Sequence, residues 1–222
     1  MTLLISIILF LIISYLLIGV FDIRQNIFVQ SINSVRKGNI CLTFDDGPDP
    51  IMTPKILEIL NKYDVKGTFF LIGKNAFSNQ PLVKRISDEG HSIGNHTYYH
   101  KATFSMFCKN KMTEEIRKAN QLLEQITSKK ITFFRPPFGV TNPKLNIVLK
   151  KLNLKSIGWG IRSLDTVTDD SIKLYNKVKK GIDKGGSIIL FHDRCESTLA
   201  ILEKIIIYCL DKDLKFITIN NA

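Results

Sequence analysis

No two cysteines in this sequence stand in a Cys-x-x-Cys spacing, which removes both a zinc knuckle and a thioredoxin-type redox site. Cys41, Cys108, Cys195 and Cys209 read as isolated thiols. Cys41 lies in an apolar run and is expected in the core, while Cys195 falls in a loop where pairing stays open. Acidic side chains are also scarce: 20 Asp and Glu against 31 Lys and Arg give a net charge of +11. Such an excess favours anionic surroundings. The lysines are spread over helical segments such as Lys144 to Lys155 and Lys173 to Lys184, however, and are not interleaved with aromatics in one patch. A solvated face is expected, and no nucleic-acid partner. There is no internal repeat and no disorder-prone composition, so 222 residues suit one domain with a full-sized core.

Charge is missing altogether from Met1 to Phe21, a stretch dominated by Leu and Ile. At about 1.5 Å per residue it is long enough to cross a bilayer core of about 30 Å. The stretch has neither a basic start nor an Ala-x-Ala cleavage pattern, so an uncleaved, single-pass anchor is expected rather than a removed signal. Arg24, Arg36 and Lys37 follow it and mildly favour a cytoplasmic C-terminal side. Residues 22–37 read as a polar linker, and 38–222 as one folded domain.

Beyond the linker, short apolar runs alternate with helical patterns. The strand candidates are Ile40 to Phe44, Gly67 to Ile72, His91 to Gly94, Ile131 to Phe134, Lys155 to Trp159, Ser187 to Phe191 and Lys215 to Ile219. Thr53-Pro54, Gln80-Pro81 and Asn142-Pro143 set proline near a helix start, and Ile116, Ala119, Leu122, Leu123 and Ile126 form a helical stripe. Strand and helix alternating about seven times implies a parallel α/β sheet, either a closed barrel or an open doubly wound one.

Asp45 and Asp46, His96 and His100, Arg135, Asp165 and His192 all fall at or just beyond the C-terminal end of an expected strand. In barrels and open sheets alike, active sites form on that edge. In "LTFDDGPDP" two carboxylates stand together where Gly47-Pro48 turns the chain out of the sheet. Adjacent carboxylates repel unless a cation or a shared proton offsets the charge, so one is suited to a metal and the other to proton transfer. His96 and His100 are four apart and converge on one ion if the segment makes a helical turn. With one of the two aspartates they complete a His, His, Asp set that leaves an open position on a zinc-like ion. His192 has no neighbouring ligand and reads as a proton donor, with Asp165 placed to hold its imidazolium; the plainer alternative is a strand cap bonded to Asp193.

The segments "TFDDGP", "HTYYH", "FRPPFG", "WGIRSLD" and "ILFHD" occur in that order. They resemble the five motifs of the polysaccharide deacetylase family, the NodB-homology domain of carbohydrate esterase family 4, from about residue 38 to the end. The resemblance implies a distorted (β/α) barrel of about seven parallel strands. It also implies a metal-dependent hydrolase that removes N-acetyl groups from N-acetylglucosamine units of peptidoglycan or chitin-like glycans. By position, Asp46, His96 and His100 match the ligands of a divalent ion, zinc or cobalt. Asp45 matches the general base and His192 the general acid. Arg135 matches the residue that steadies the base, Asp165 the one that tunes the acid histidine, and Pro137-Phe138 the donor of a backbone N–H to the oxyanion. Arg162 and Thr166 replace an acid and a tryptophan of the usual fourth motif, Phe138 a tyrosine and Phe191 a leucine; altered substrate preference is the expected effect. An O-acetyl esterase on xylan and a carbohydrate-binding pseudoenzyme are the alternatives. The acetylated glycan and, through the first helix, the membrane are the expected partners. Trp159, Phe138, Tyr98 and Tyr99 could stack on sugar rings, but aromatics at strand ends are more often core, which is the expectation for them.

Overall fold

The computed structural model describes residues 1–221. After the apolar helix α1 (Thr2–Phe21) come strands β1 (Ser31–Ile32), β2 (Asn39–Asp45), β3 (Thr68–Leu71), β4 (Ser92–Asn95), β5 (Phe133–Phe134), β6 (Lys155–Ile157), β7 (Ile161–Arg162), β8 (Ile188–His192) and β9 (Lys215–Phe216). Between them lie α2 (Met52–Lys62), α3 (Gly73–Ser78), α4 (Gln80–Asp88), α5 (Lys109–Thr127), α6 (Pro143–Leu152), α7 (Ser171–Asp183) and α8 (Glu196–Leu210). The sheet runs β1-β6-β5-β4-β3-β2-β8-β7, with β9 beside the start of β2, and every pairing is parallel. This is the expected distorted barrel, with eight strands in the main path rather than about seven.

The two additional strands are β1 and β7, each two residues long. They form the two edges of the sheet, and Gly158-Trp159-Gly160 carries the chain across the seam between them. The run expected as one strand, Lys155 to Trp159, therefore stops at Ile157. Gly158 donates its N–H to the Ile32 carbonyl on one side of the seam, and Gly160 to that of Ile188 on the other.

Alternation along the strands separates two apolar layers. On β8, Ile188 and Leu190 face the barrel interior with Cys41, Phe70, Phe133, Ile157 and Trp159. Ile189 and Phe191 face the helices with Leu42, Phe44, Phe69 and Leu71. Asp45 continues the inward set Cys41, Thr43, Asp45 of β2, and His192 the inward set of β8; the two are register partners across the β2–β8 ladder. Period two thus carries a carboxylate and an imidazole to the same end of the interior.

Residues 22–37 are not the free polar linker that the composition suggests. Ile23 is 1% exposed and packs into the barrel interior, while Val29 packs among Phe104, Met112, Phe134 and Leu145. β1 pairs with β6 at Ser31↔Ser156 and Ile32↔Ile157. Polar residues interrupt Ile23, Ile27-Phe28-Val29, Ile32 and Val35 too often to leave an apolar run of strand length, which is why the segment reads as a linker. The four cysteines are free thiols. Helix α1 has a mean hydropathy of 3.0 over its most apolar window and is long and apolar enough to cross a membrane.

Candidate active site

The chain leaves β2 at Asp46, whose φ is +76°. This left-handed residue breaks the strand alternation, so both carboxylates face one pocket rather than opposite sides of the sheet. Asp45, Asp46, His96, His100, Arg162, His192 and Arg194 share that pocket with Phe138, Gly139, Trp159, Thr166 and Leu190. Its volume is about 80 Å³, against a liquid-water share of about 30 Å³ per molecule.

His96 and His100 meet without the helical turn that their spacing suggests. The segment between them is irregular, with positive φ at Thr97 (65°) and His100 (50°). Asn95 Oδ1 accepts the Thr97 N–H, and Thr97 Oγ1 accepts the His100 N–H. His96 Nδ1 donates to the Arg135 carbonyl at 2.7 Å, which leaves Nε2 as its lone-pair nitrogen. The Nε2 atoms of His96 and His100 lie 3.5 and 3.4 Å from Asp46 Oδ1.

Burial lowers His100 to about 4 against the pull of Asp46, so its ring is neutral near pH 7. Burial would raise Asp46, but His96, His100 and Arg194 outweigh it and hold the carboxyl far below the ordinary range. One carboxylate and two imidazoles, with ligand atoms all within 4.8 Å of one another, form the donor set of a three-ligand catalytic zinc-type site. The edge of a tetrahedron with bonds of about 2.0–2.1 Å is about 3.4 Å, which these separations match. Asp46, His96 and His100 therefore fit a divalent cation.

Arg135 is completely buried. Its Nη1 donates to Asp45 Oδ1 at 2.6 Å and to Thr43 Oγ1 at 2.8 Å, while Nε and Nη2 take the carbonyls of Ile157 and Gly158. The guanidinium also lies over the Phe70 ring, 4.2 Å from its centroid. A buried cation with nearly every donor used has one orientation, and so then does Asp45. Arg162 opens onto the pocket and takes no part in this network.

On the other side, His192 Nδ1 donates to Asp165 Oδ1 at 2.8 Å, and the His192 backbone N–H to Oδ2 at 2.7 Å. Thr198 Oγ1 donates to the same Oδ2 at 2.6 Å. Burial alone would lower His192, but the hydrogen bond and charge of Asp165 prevail and raise it above the ordinary histidine range. Asp165 moves down in return, as His192 and Thr198 outweigh its burial. His192 is thus bonded to Asp165 and not to Asp193.

All seven expected site residues converge on this pocket or on side chains that line it. Four further residues were not expected. Arg194 Nε donates to Asp46 Oδ2 at 2.8 Å, leaving Oδ1 toward the histidines. Thr43 braces Arg135 and Thr198 braces Asp165. Asp193 lies fully buried beneath Gly47, takes a 2.6 Å bond from Thr53 Oγ1, and is pushed by burial up to about 7. Thr43 and Asp193 lie inside the first and fifth motif segments and Arg194 directly after the fifth; Thr198 left no signal. Phe138 and Tyr99 are 61% and 47% exposed, not core; Trp159 is buried, yet its edge lines the pocket.

The polysaccharide deacetylase family model matches residues 33–157. The peptidoglycan-N-acetylglucosamine deacetylase of Bacillus cereus is 34% identical over 194 residues, covering 82% of this chain and 67% of the relative. The chitooligosaccharide deacetylase of Azorhizobium caulinodans is 32% identical over 162 residues, covering 72% and 75%. Among solved structures, a CE4 family pseudoenzyme from Bacillus anthracis superposes with a TM-score of 0.81 at 27% identity, covering 89% of this chain and 70% of the other.

Proposed function

Since this chain belongs to the polysaccharide deacetylase family, we propose that it removes N-acetyl groups from N-acetylglucosamine-containing polysaccharide, peptidoglycan or chitin-like, releasing acetate. The observation that carries this reading is the pairing of two oriented proton-transfer groups across one ladder: Asp45 braced by Arg135 and His192 braced by Asp165, register partners on β2 and β8. Asp46, His96 and His100 would hold the divalent cation, zinc or cobalt. When bound, it supplies Lewis-acid polarisation of the acetyl carbonyl and acidifies water.

Asp45 takes a proton from the attacking water, whose oxygen bonds to the amide carbon. Arg135 keeps the Asp45 carboxylate aimed while it does so. The backbone N–H at Phe138 faces the oxyanion of the tetrahedral intermediate. His192 gives its proton to the sugar nitrogen as the C–N bond breaks, so acetate and a free amine result. An imidazolium with a raised pKa suits this step, because an amine leaves only once it is protonated. The same chemistry acts on an O-acetyl ester, but the Bacillus cereus relative compared above is named for an N-acetylated sugar. The reading of a binding-only protein would be supported by the loss of a base, acid or ligand, and each is in place. Acetate release by the cation-loaded protein from chitooligosaccharides and peptidoglycan fragments, with acetylated xylan in parallel, tests the proposal. Release from xylan alone would replace it with an esterase.

In this reading α1 stays as a single-pass anchor and residues after about 38 lie outside the cytoplasm, where such glycans are found. Substrate access outweighs the small opposing bias of Arg24, Arg36 and Lys37. Protease added to intact cells should digest the domain; full protection beside a protected cytoplasmic control would reverse the orientation.

A further inference from the structure

Only Asp22 separates the last residue of α1, Phe21, from Ile23, which is already buried in the barrel. The last turn of the helix is fastened as well. Thr141 donates its N–H to the Val20 carbonyl at 2.9 Å and its hydroxyl to that of Gly19 at 2.6 Å, satisfying carbonyls that a helix end leaves free. Ile27 and Phe28 fold back over Gly19 so closely that a Cβ there would come within 2.9 Å of both. A helix held this way has no slack with which to lift the domain off a bilayer.

Thr141 lies three residues after Phe138 and two after Gly139, both of which line the catalytic pocket. With Cα atoms about 3.8 Å apart, Phe138 is at most about 11 Å from Thr141. The pocket wall is therefore within roughly 15 Å of the helix end. A globule of this size is about 40 Å across, and the headgroup layer on one side of a bilayer is about 5–8 Å deep. The pocket sits at the membrane end of the molecule.

The surface around the exit agrees with this placement. Phe21 and Met106 are 68% and 77% exposed. Lys144, three residues beyond Thr141, binds the carbonyl of Phe107, and Lys111 lies over the Phe107 ring. Exposed apolar side chains mixed with lysines suit a headgroup layer.

We infer that the pocket works at the membrane surface, on an acetylated glycan whose acetamido group is presented within about 15–20 Å of the hydrocarbon. This rests on the deacetylase reading and on α1 remaining as the anchor. The shared chemistry is an N-acetylated sugar at the bilayer, either carried on a lipid or belonging to a polymer strand lying against it.

The test uses the full cation-loaded chain in vesicles of phosphatidylcholine with phosphatidylglycerol. The substrates are N-acetylchitotetraose free in solution, joined to a lipid by a short spacer, and joined by a long polymer spacer. The intact chain should deacetylate the short-spacer glycolipid at least about tenfold faster than the long-spacer one. A variant with twenty Gly and Ser residues inserted between Phe21 and Asp22 should bring that ratio close to one. Equal rates for the intact chain, or a ratio that the insertion leaves unchanged, would overturn the inference.

A readout independent of turnover is energy transfer from Trp159, the sole tryptophan, to a dansyl-labelled headgroup. It should be strong in the intact chain and weak in the insertion variant; equal transfer in both would also overturn the placement. Acetate released from none of the three substrates would instead sink the deacetylase reading, and with it the substrate assigned here. Peptidoglycan fragments added to the vesicles separate the sources: release from glycolipid alone assigns the lipid-carried glycan, and release from both adds the polymer strand.

Discussion

Asp45 and Asp46 are adjacent in the chain and both lie near His96 Nε2, but the cations that hold them differ. Asp46 faces two imidazoles and Arg194, whereas Asp45 is gripped by Arg135. Two substitutions should therefore fail differently. His100→Ala should remove most bound metal and activity together, because two ligands no longer enclose the ion. Asp45→Asn should keep the metal and lose turnover by about 10²-fold or more, since an amide accepts no proton at neutral pH. Metal content measured beside acetate release checks both, and a metal-loaded His100→Ala would remove that residue from the ligand set. The second pair makes a prediction about pH. In its proposed role of general acid His192 must be protonated, so activity should fall as pH rises through its pKa. Asp165 raises that pKa, so Asp165→Asn should move the alkaline limb of the pH–rate profile to lower pH. A limb that stays in place would show that His192 is not the group being read.

The elements that carry these residues were legible to different degrees. Runs of three or four apolar residues announced β2, β3 and β8, and motif residues at their ends announced the rim. β1 and β7 were not legible, because each is two residues with a single apolar side chain and no apolar run around it. The convergence of His96 and His100 depends on left-handed backbone at Thr97 and His100, which no side-chain pattern encodes. The braces Thr43 and Thr198 are ordinary threonines until the fold brings them to Arg135 and Asp165. One element with an unusual backbone is the loop Pro136 to Thr141, which carries Phe138 and meets α1. Gly139 has φ +71°, and a Cβ there would run into the Trp159 indole. A β-branched residue in that conformation costs about 1–3 kcal/mol in strain before any clash. Gly139→Val should therefore shift the emission of Trp159 and lower acetate release while metal content is kept. Unchanged emission and rate would show that the loop is not held by this contact.

At the scale of the whole molecule, residues 22–37 decide where the domain begins. Burying Ile23 and Val29 contributes about 1.5–3 kcal/mol each, and the β1–β6 pairing adds to it. Their sum is a large share of the roughly 5–15 kcal/mol that holds a domain together. A soluble chain starting at residue 38 should thus unfold at markedly lower denaturant than one starting at residue 22, or fail to fold. Equal midpoints would restore the linker. The topology also bears on how the protein is made. β2 pairs with β8 from Cys41↔Ile188 onward, so the central strand waits for a neighbour that leaves the ribosome, at about 5–20 residues per second, many seconds later. We expect nascent chains cut short at residue 185 to show no protease-resistant core, and a resistant core would contradict this. If α1 threads the chain outward, as proposed above, the domain crosses the membrane before Asp45 and His192 have met. An ion bound by Asp46, His96 and His100 would then be taken up from the compartment in which folding ends, and the metal supply of that compartment, not that of the cytoplasm, would govern which ion the site carries.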